Sequence, residues 1–115
     1  MAQTDAQIRV LIGEELGLIS GNEVMSADDN DKITRRMAGV RAWLIEEGLC
    51  YWASGATPDA AALPYAKVIA SQCADVYGRG SGSQFPYTGG DTGFLALEKH
   101  CSVRSKKERV QSEYF

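Results

Sequence analysis

Residues 63–93, LPYAKVIASQCADVYGRGSGSQFPYTGGDTG, carry the transition on which the fold turns: an amphipathic helix runs directly into a glycine-rich segment. Pro64 suits the first turn of that helix, where its missing N–H would have had no intrahelical acceptor. Tyr65, Val68, Ile69, Cys73, Val76 and Tyr77 recur at three- and four-residue steps, with Lys67, Ser71, Gln72 and Asp75 on the polar back. Gly78 is the natural stop, because glycine adopts the left-handed turn at a helix end with little steric cost. Beyond it, Gly80, Gly82, Gly89, Gly90 and Gly93 keep the backbone conformationally free. Ordering each such residue costs about 1–2 kcal/mol, and only Phe85, Pro86 and Tyr87 offer apolar contact in return. The chain therefore reads as mainly α: a small helical body over residues 1–79, then an extended glycine-rich arm and a basic C-terminal tail over residues 80–115, with a short β-hairpin as one form open to the arm. An isolated arm of this composition is expected to be mobile.

Upstream, Thr4 and Gln7 have capping-box spacing, and Ile8, Leu11 and Ile12 give a short apolar face that Gly13 weakens, so a helix of about two turns is expected. Asp28, Asp29 and Asp31 suit the positive end of a helix dipole and place the start of the next helix near Ala27. Ile33, Met37, Val40, Trp43 and Leu44 form its apolar face, and Gly48 ends or bends it. Thr57, Pro58 and Asp59 read as N-cap, first helical residue and dipole-matched acid of a short alanine-rich turn, which Pro64 separates from the following helix. The run from Gly93 to Glu98 is too short for periodicity to choose between strand and helical turn. Tyr51 and Trp52 are expected in the core, closing the helices.

At 115 residues the chain makes one domain with a modest core. Its net charge of −3 is unevenly spread. Residues 1–48 hold nine acidic and five basic side chains, whereas residues 94–115 hold Lys99, Arg104, Lys106, Lys107 and Arg109 against Glu98, Glu108 and Glu113. This is the pattern of an ordinary solvated surface, or of a chain whose opposite ends meet neighbouring copies or an acidic partner. Cys50, Cys73 and Cys101 are widely spaced, with no CxxC pair, and read as small buried hydrophobes in a reducing compartment. The first residues lack both a basic leader and an apolar block, and no window approaches the roughly 20 apolar residues of a membrane span, so a protein used in cytoplasm, or in a particle assembled there, with no membrane partner is expected.

No motif carries catalytic chemistry. Lys32 occupies a ligand position of the would-be calcium loop at Asp28 and Asn30. The run from Gly78 to Gly82 follows a helix, not a strand, and lacks the Gly-Lys-Ser/Thr ending of a phosphate cradle. His100 is the one histidine, and beside Cys101 it would point to the opposite face of a strand. No catalytic residues, metal or cofactor are expected, and the chain is read as not an enzyme. The basic tail offers only a weak phosphate track.

The short helix over residues 7–12, the acid-started helix over residues 28–48 and the exit Ala74-Asp75-Val76-Tyr77-Gly78-Arg79-Gly80-Ser81-Gly82-Ser83 together resemble the head-to-tail connector, or adaptor, proteins of tailed bacteriophages. In that family a similar tyrosine, arginine and glycine-serine run leaves the last core helix and leads into an extended segment. The chain departs from it in the second proline-started turn and in a longer basic tail. The resemblance implies a structural virion protein of the head-tail neck, assembled in host cytoplasm. It also implies a homo-oligomeric ring, commonly of twelve subunits, that docks on the portal protein, receives the stopper or tail protein, and lets DNA pass through its channel without specific binding. Arg79, Gly80, Gly82, Phe85, Pro86, Tyr87, Gly89 and Gly90 are then the docking arm, with Lys106, Lys107, Arg109, Tyr114 and Phe115 as a second contact. The alternative is a small helical nucleic-acid-binding or regulatory module using residues 28–48 and the basic tail.

Overall fold

Four helices run alternately up and down, tied at one end by a two-residue antiparallel β-ladder. The structure, a computed structural model, describes residues 2–19, 24–80, 82–84 and 86–113, with side chains to residue 102. Strand β1 (Ala2–Gln3) pairs with β2 (Thr57–Pro58), Ala2 opposite Pro58 and Gln3 opposite Thr57. Helix α1 spans Asp5–Glu15, and the capping box is present: Thr4 Oγ1 accepts from the Gln7 N–H, and Gln7 returns the bond to the Thr4 N–H. Helix α2 (Ala27–Glu46) starts on Ser26, whose hydroxyl accepts from the Asp29 N–H, and ends before Gly48, where φ is +75°.

Helix α3 (Asp59–Cys73) is continuous through Pro64, where a break was expected. Proline removes one i→i−4 bond, the one to the carbonyl of Ala60, and Ala60 lies exposed near the helix start, where water can replace the lost donor. Thr57 is buried in the ladder instead of capping, and Pro58 takes the cap position. A 3-10 turn, Ala74–Tyr77, extends α3 to Gly78, which closes it at φ +70° as the sequence indicated.

The core forms where the expected stripes meet. Ile8 and Ile12 of α1, Ile33 and Leu44 of α2 and Ile69 of α3 are each 0% exposed, and Tyr65 is nearly so. Burying each such side chain stabilises the fold by about 1.5–3 kcal/mol. Trp52 is buried edge-on against Tyr65, with ring centroids 5.3 Å apart, while its neighbour Tyr51 stays exposed and stacks on His100. Arg41 Nη2 donates to the Trp52 carbonyl at 2.7 Å and holds the connection after α2 against that helix.

The largest departure from expectation lies after the exit. Helix α4 occupies Gly89–Glu113, where an extended arm and tail were expected, so what lies between Tyr77 and α4 shrinks to residues 78–88. The glycines supply the reason. A Cβ on Gly90 would lie 2.5 Å from Ser71 Cβ, and one on Gly93 would lie 2.7 Å from Lys67 Cβ and 2.8 Å from the Pro64 carbonyl oxygen. Bare backbone at these positions lets α4 approach α3 closely enough to bury Leu97 completely and Cys101 partly. Gly93, Leu97 and Cys101 stand four residues apart, so they form one seam along α4. Gly93 to Glu98, undecided by periodicity, is therefore helix, and so are His100 and Cys101.

Cys50 and Cys73 are buried and Cys101 is half-buried, with none in a disulfide. Burial pushes both buried thiols up, Cys73 to about 11. A thiol reagent at neutral pH is expected to modify Cys101 first and to reach Cys50 and Cys73 only on unfolding. Three equal native-state rates would contradict this packing.

Candidate interaction surface

The exit segment is tied back to the body. The Arg79 N–H donates to the Ala74 carbonyl at 2.8 Å, its guanidinium Nη1 donates to the Leu16 carbonyl at 3.1 Å, and its own carbonyl accepts from the Tyr87 N–H at 2.9 Å. That last bond closes a loop whose tip carries a turn from the Gly80 carbonyl to the Ser83 N–H. The Tyr87 hydroxyl donates to Glu15 Oε1 at 3.3 Å, and Lys67 Nζ lies 3.9 Å from the same oxygen. Burial first, then the Glu15 charge and the hydrogen bond to it, push the Tyr87 phenol up, with Arg79 acting in the opposite sense. Arg79 and Tyr87 thus clasp the C-terminal ends of α1 and α3 together.

The arm residues therefore separate. Arg79 and Tyr87 are half-buried and bonded within the chain, Gly89 and Gly90 belong to the first turn of α4, and Gly80 sits against the Asp75 carboxylate. Gly82 and Pro86 are exposed. Phe85, Tyr114 and Phe115 lie outside the described residues. Lys106, Lys107 and Arg109 fall within α4. The clasp partners Leu16, Glu15 and Lys67 had no local signal, because each bond spans a long sequence separation or depends on how helices pack.

Two surfaces stand out among the described residues. On α2, the expected core residue Trp43 is 40% exposed and stacks on Phe94 of α4, centroids 5.7 Å apart, which leaves a groove lined by Arg35, Arg36, Gly39, Val40, Trp43 and Gln72. Leu95 of α4 is exposed, as is Val76, which was expected to face the core.

The second surface is the end of α4. Gly90 lies at Ser71, and Gly93 lies at Lys67 and Pro64, so α3 and α4 run antiparallel and α4 passes the start of α3 near residue 101. At 1.5 Å per residue, residues 103–113 reach about 16 Å past that point. The long axis of the molecule, 52 Å against 29 and 23 Å across, matches such a projection.

Around His100, the Tyr51 hydroxyl and Nε2 are hydrogen-bonded at 2.8 Å. Among the described residues no group of three His, Cys, Asp or Glu side chains is placed to hold a metal ion, and no helix is long and apolar enough to cross a membrane. Chemically, this surface offers shape, charge and aromatic contact. No family model, no curated protein and no solved structure matches the chain, so the surface is read from its own residues.

Proposed function

We propose that the chain is a structural subunit of the head-to-tail connector of a tailed bacteriophage, forming a ring in the virion neck between the portal protein and the tail or stopper protein, with DNA passing through. The observation that supports this best is the projection of α4: a helix running about 16 Å beyond its packing partner is suited to engaging another molecule. Docking passes in this reading from the glycine-rich arm to that helix, because Arg79 and Tyr87 are bonded within the chain. Lys106, Lys107 and Arg109 give the projection its positive charge, and an acidic first half supplies an opposite surface for heterologous contacts around a ring. The resemblance carried by the exit from Ala74 to Ser83 supports the same reading.

The same basic projection favours a second reading, a nucleic-acid-binding module, since Arg104, Lys106, Lys107 and Arg109 are a possible phosphate contact. One experiment separates them. Purified protein is mixed with portal-bearing, DNA-filled heads and viewed by electron microscopy, while duplex DNA binding is titrated against salt. A ring-shaped collar at the portal vertex, with weak DNA binding, is expected. Steeply salt-dependent DNA binding without a collar would replace the connector reading with the second one.

A further inference from the structure

The outer face of α2 and the projecting end of α4 carry inverse charge patterns at identical spacing. Along that face of α2 stand Asp28, Asp31 and Arg35, and along α4 stand Lys106, Arg109 and Glu113. Laid parallel with Lys106 opposite Asp28, the helices set Arg109 opposite Asp31 and Glu113 opposite Arg35, every pair of opposite sign at one constant offset. Asp28, Asp31 and Arg35 follow i, i+3, i+7, so they share one face of α2, and positions 106, 109 and 113 repeat that spacing on α4. All three α2 residues are exposed, and the face lies opposite the buried Ile33, Met37 and Leu44.

The two segments cannot meet within one chain. Both helices run antiparallel to α3, α2 because Lys32 near its start lies over the Tyr77 ring and α4 because Gly90 lies at Ser71. Arg35 is therefore in the half of the bundle nearest the exit loop, while residue 113 lies past the opposite end, about 30 Å away at the rise of an α-helix. We infer that the end of α4, residues 103–113, docks along the outer face of α2 of a second copy of this chain, with positions 106, 109 and 113 (Lys, Arg, Glu) set against Asp28, Asp31 and Arg35. Asp28 already accepts Lys32 at 3.0 Å, but both side chains are largely exposed, a setting in which such a pair holds weakly and leaves carboxylate oxygens for a second cation. Arg35 and Arg36 have no ion-pair partner among the described residues. Tip on face is a heterologous contact, so each copy both gives and receives. Repetition closes a ring or extends a filament, and a closed ring adds many weak pairs into one stable assembly.

The inference rests on the self-assembly contained in the proposed function, and the experiment distinguishes failure of the two. One variant reverses the tip (Lys106→Glu, Arg109→Glu) and another the face (Asp28→Lys, Asp31→Lys). Self-association is followed by sedimentation at low and high salt, with circular dichroism reporting the fold. Wild type should associate, less so in high salt. Each variant alone should associate at least about tenfold more weakly, and an equimolar mixture should recover, because each supplies the surface that the other repels. Because the acid-to-lysine changes oppose the dipole of α2, a second variant, Arg35→Cys with Glu113→Cys, tests the register directly: oxidation should give intermolecular disulfides. Undiminished association of the reversed variants, or no such disulfide in an associating protein, overturns the tip-to-face contact while self-assembly stands. A wild type that stays monomeric at every concentration, alone and with portal-bearing heads, overturns both.

Discussion

Gly93→Val is expected to release α4 from the bundle and lower stability by at least about 3 kcal/mol, whereas Gly39→Ala is expected to raise it by about 0.5–1 kcal/mol. Both glycines sit inside helices, so helix propensity alone favours the larger residue at each. Their surroundings decide the sign. A Cβ at Gly39 meets nothing within 4 Å, so alanine there removes the entropy penalty of glycine without a clash. At Gly93 the same atom would fall 2.8 Å from the Pro64 carbonyl oxygen and 3.3 Å from the Val68 nitrogen. Backbone atoms cannot turn aside as a flexible side chain can, so α4 must move outward. Moving outward exposes Leu97, now wholly buried, and loosens Phe94 from Trp43. Each apolar side chain returned to water forfeits about 1.5–3 kcal/mol. Urea melts followed by circular dichroism check both signs. A Gly93→Val protein as stable as wild type would mean that the helices do not approach at this seam.

That prediction also marks where the sequence stopped being readable. The capping box at Thr4 and Gln7, the acid-led start of α2, its buried face and the stop at Gly78 depend on residues a few positions apart, and local pattern found them. Gly89, Gly90 and Gly93 have two physical meanings, a chain too free to order or a backbone bare enough for close approach. The atoms that decide between them, at Pro64, Lys67 and Ser71, belong to another helix. Trp43 fits the period of the α2 core face but sits at its edge, and only the arrival of Phe94 explains its stacked, half-open position. Arg79 and Tyr87 looked like anchors for a partner because a basic and an aromatic residue in a glycine-rich loop have no evident local use. Their bonds go to Leu16 and Glu15, more than sixty positions away. Of the candidate surface, the charge of Lys106, Lys107 and Arg109 was legible, but its delivery on a projecting helix was not, because the charged tail carries no apolar stripe for periodicity to detect.

Stability should hold level from neutral pH to about pH 9 and then collapse between pH 9 and 12, well before any peptide chemistry intervenes. Five buried or half-buried groups produce this, one of them Cys50, whose thiol is pushed up by burial. Burial raises Cys73 from 9.0 to about 11 and Tyr77 from 10.0 to about 12, the latter helped by the Asp29 charge. Burial likewise drives Tyr65 upward, and burial with the Glu15 carboxylate does the same for Tyr87. A folded-state value above the unfolded one means that the folded chain holds its proton longer. The resulting stability is fully present below the unfolded value and is lost as pH rises towards the folded one. The thiols therefore begin the loss just above pH 9, and the phenols extend it from pH 10 upward. Cys73 alone accounts for about 2–3 kcal/mol by pH 11, a large share of a typical 5–15 kcal/mol total. Tyr65→Phe isolates one contribution, because the Tyr65 hydroxyl is buried without a hydrogen-bond partner among the described residues. Removing it eliminates a buried polar group as well as a titration, so the variant should be more stable than wild type at neutral pH and lose less on going to pH 11. Urea midpoints across this range, with tyrosinate absorbance measured in parallel, test the sign. A wild type whose midpoint stays level to pH 11, or a Tyr65→Phe protein weaker at neutral pH, would show that this ring does not sit dry between Trp52 and α3's neighbours.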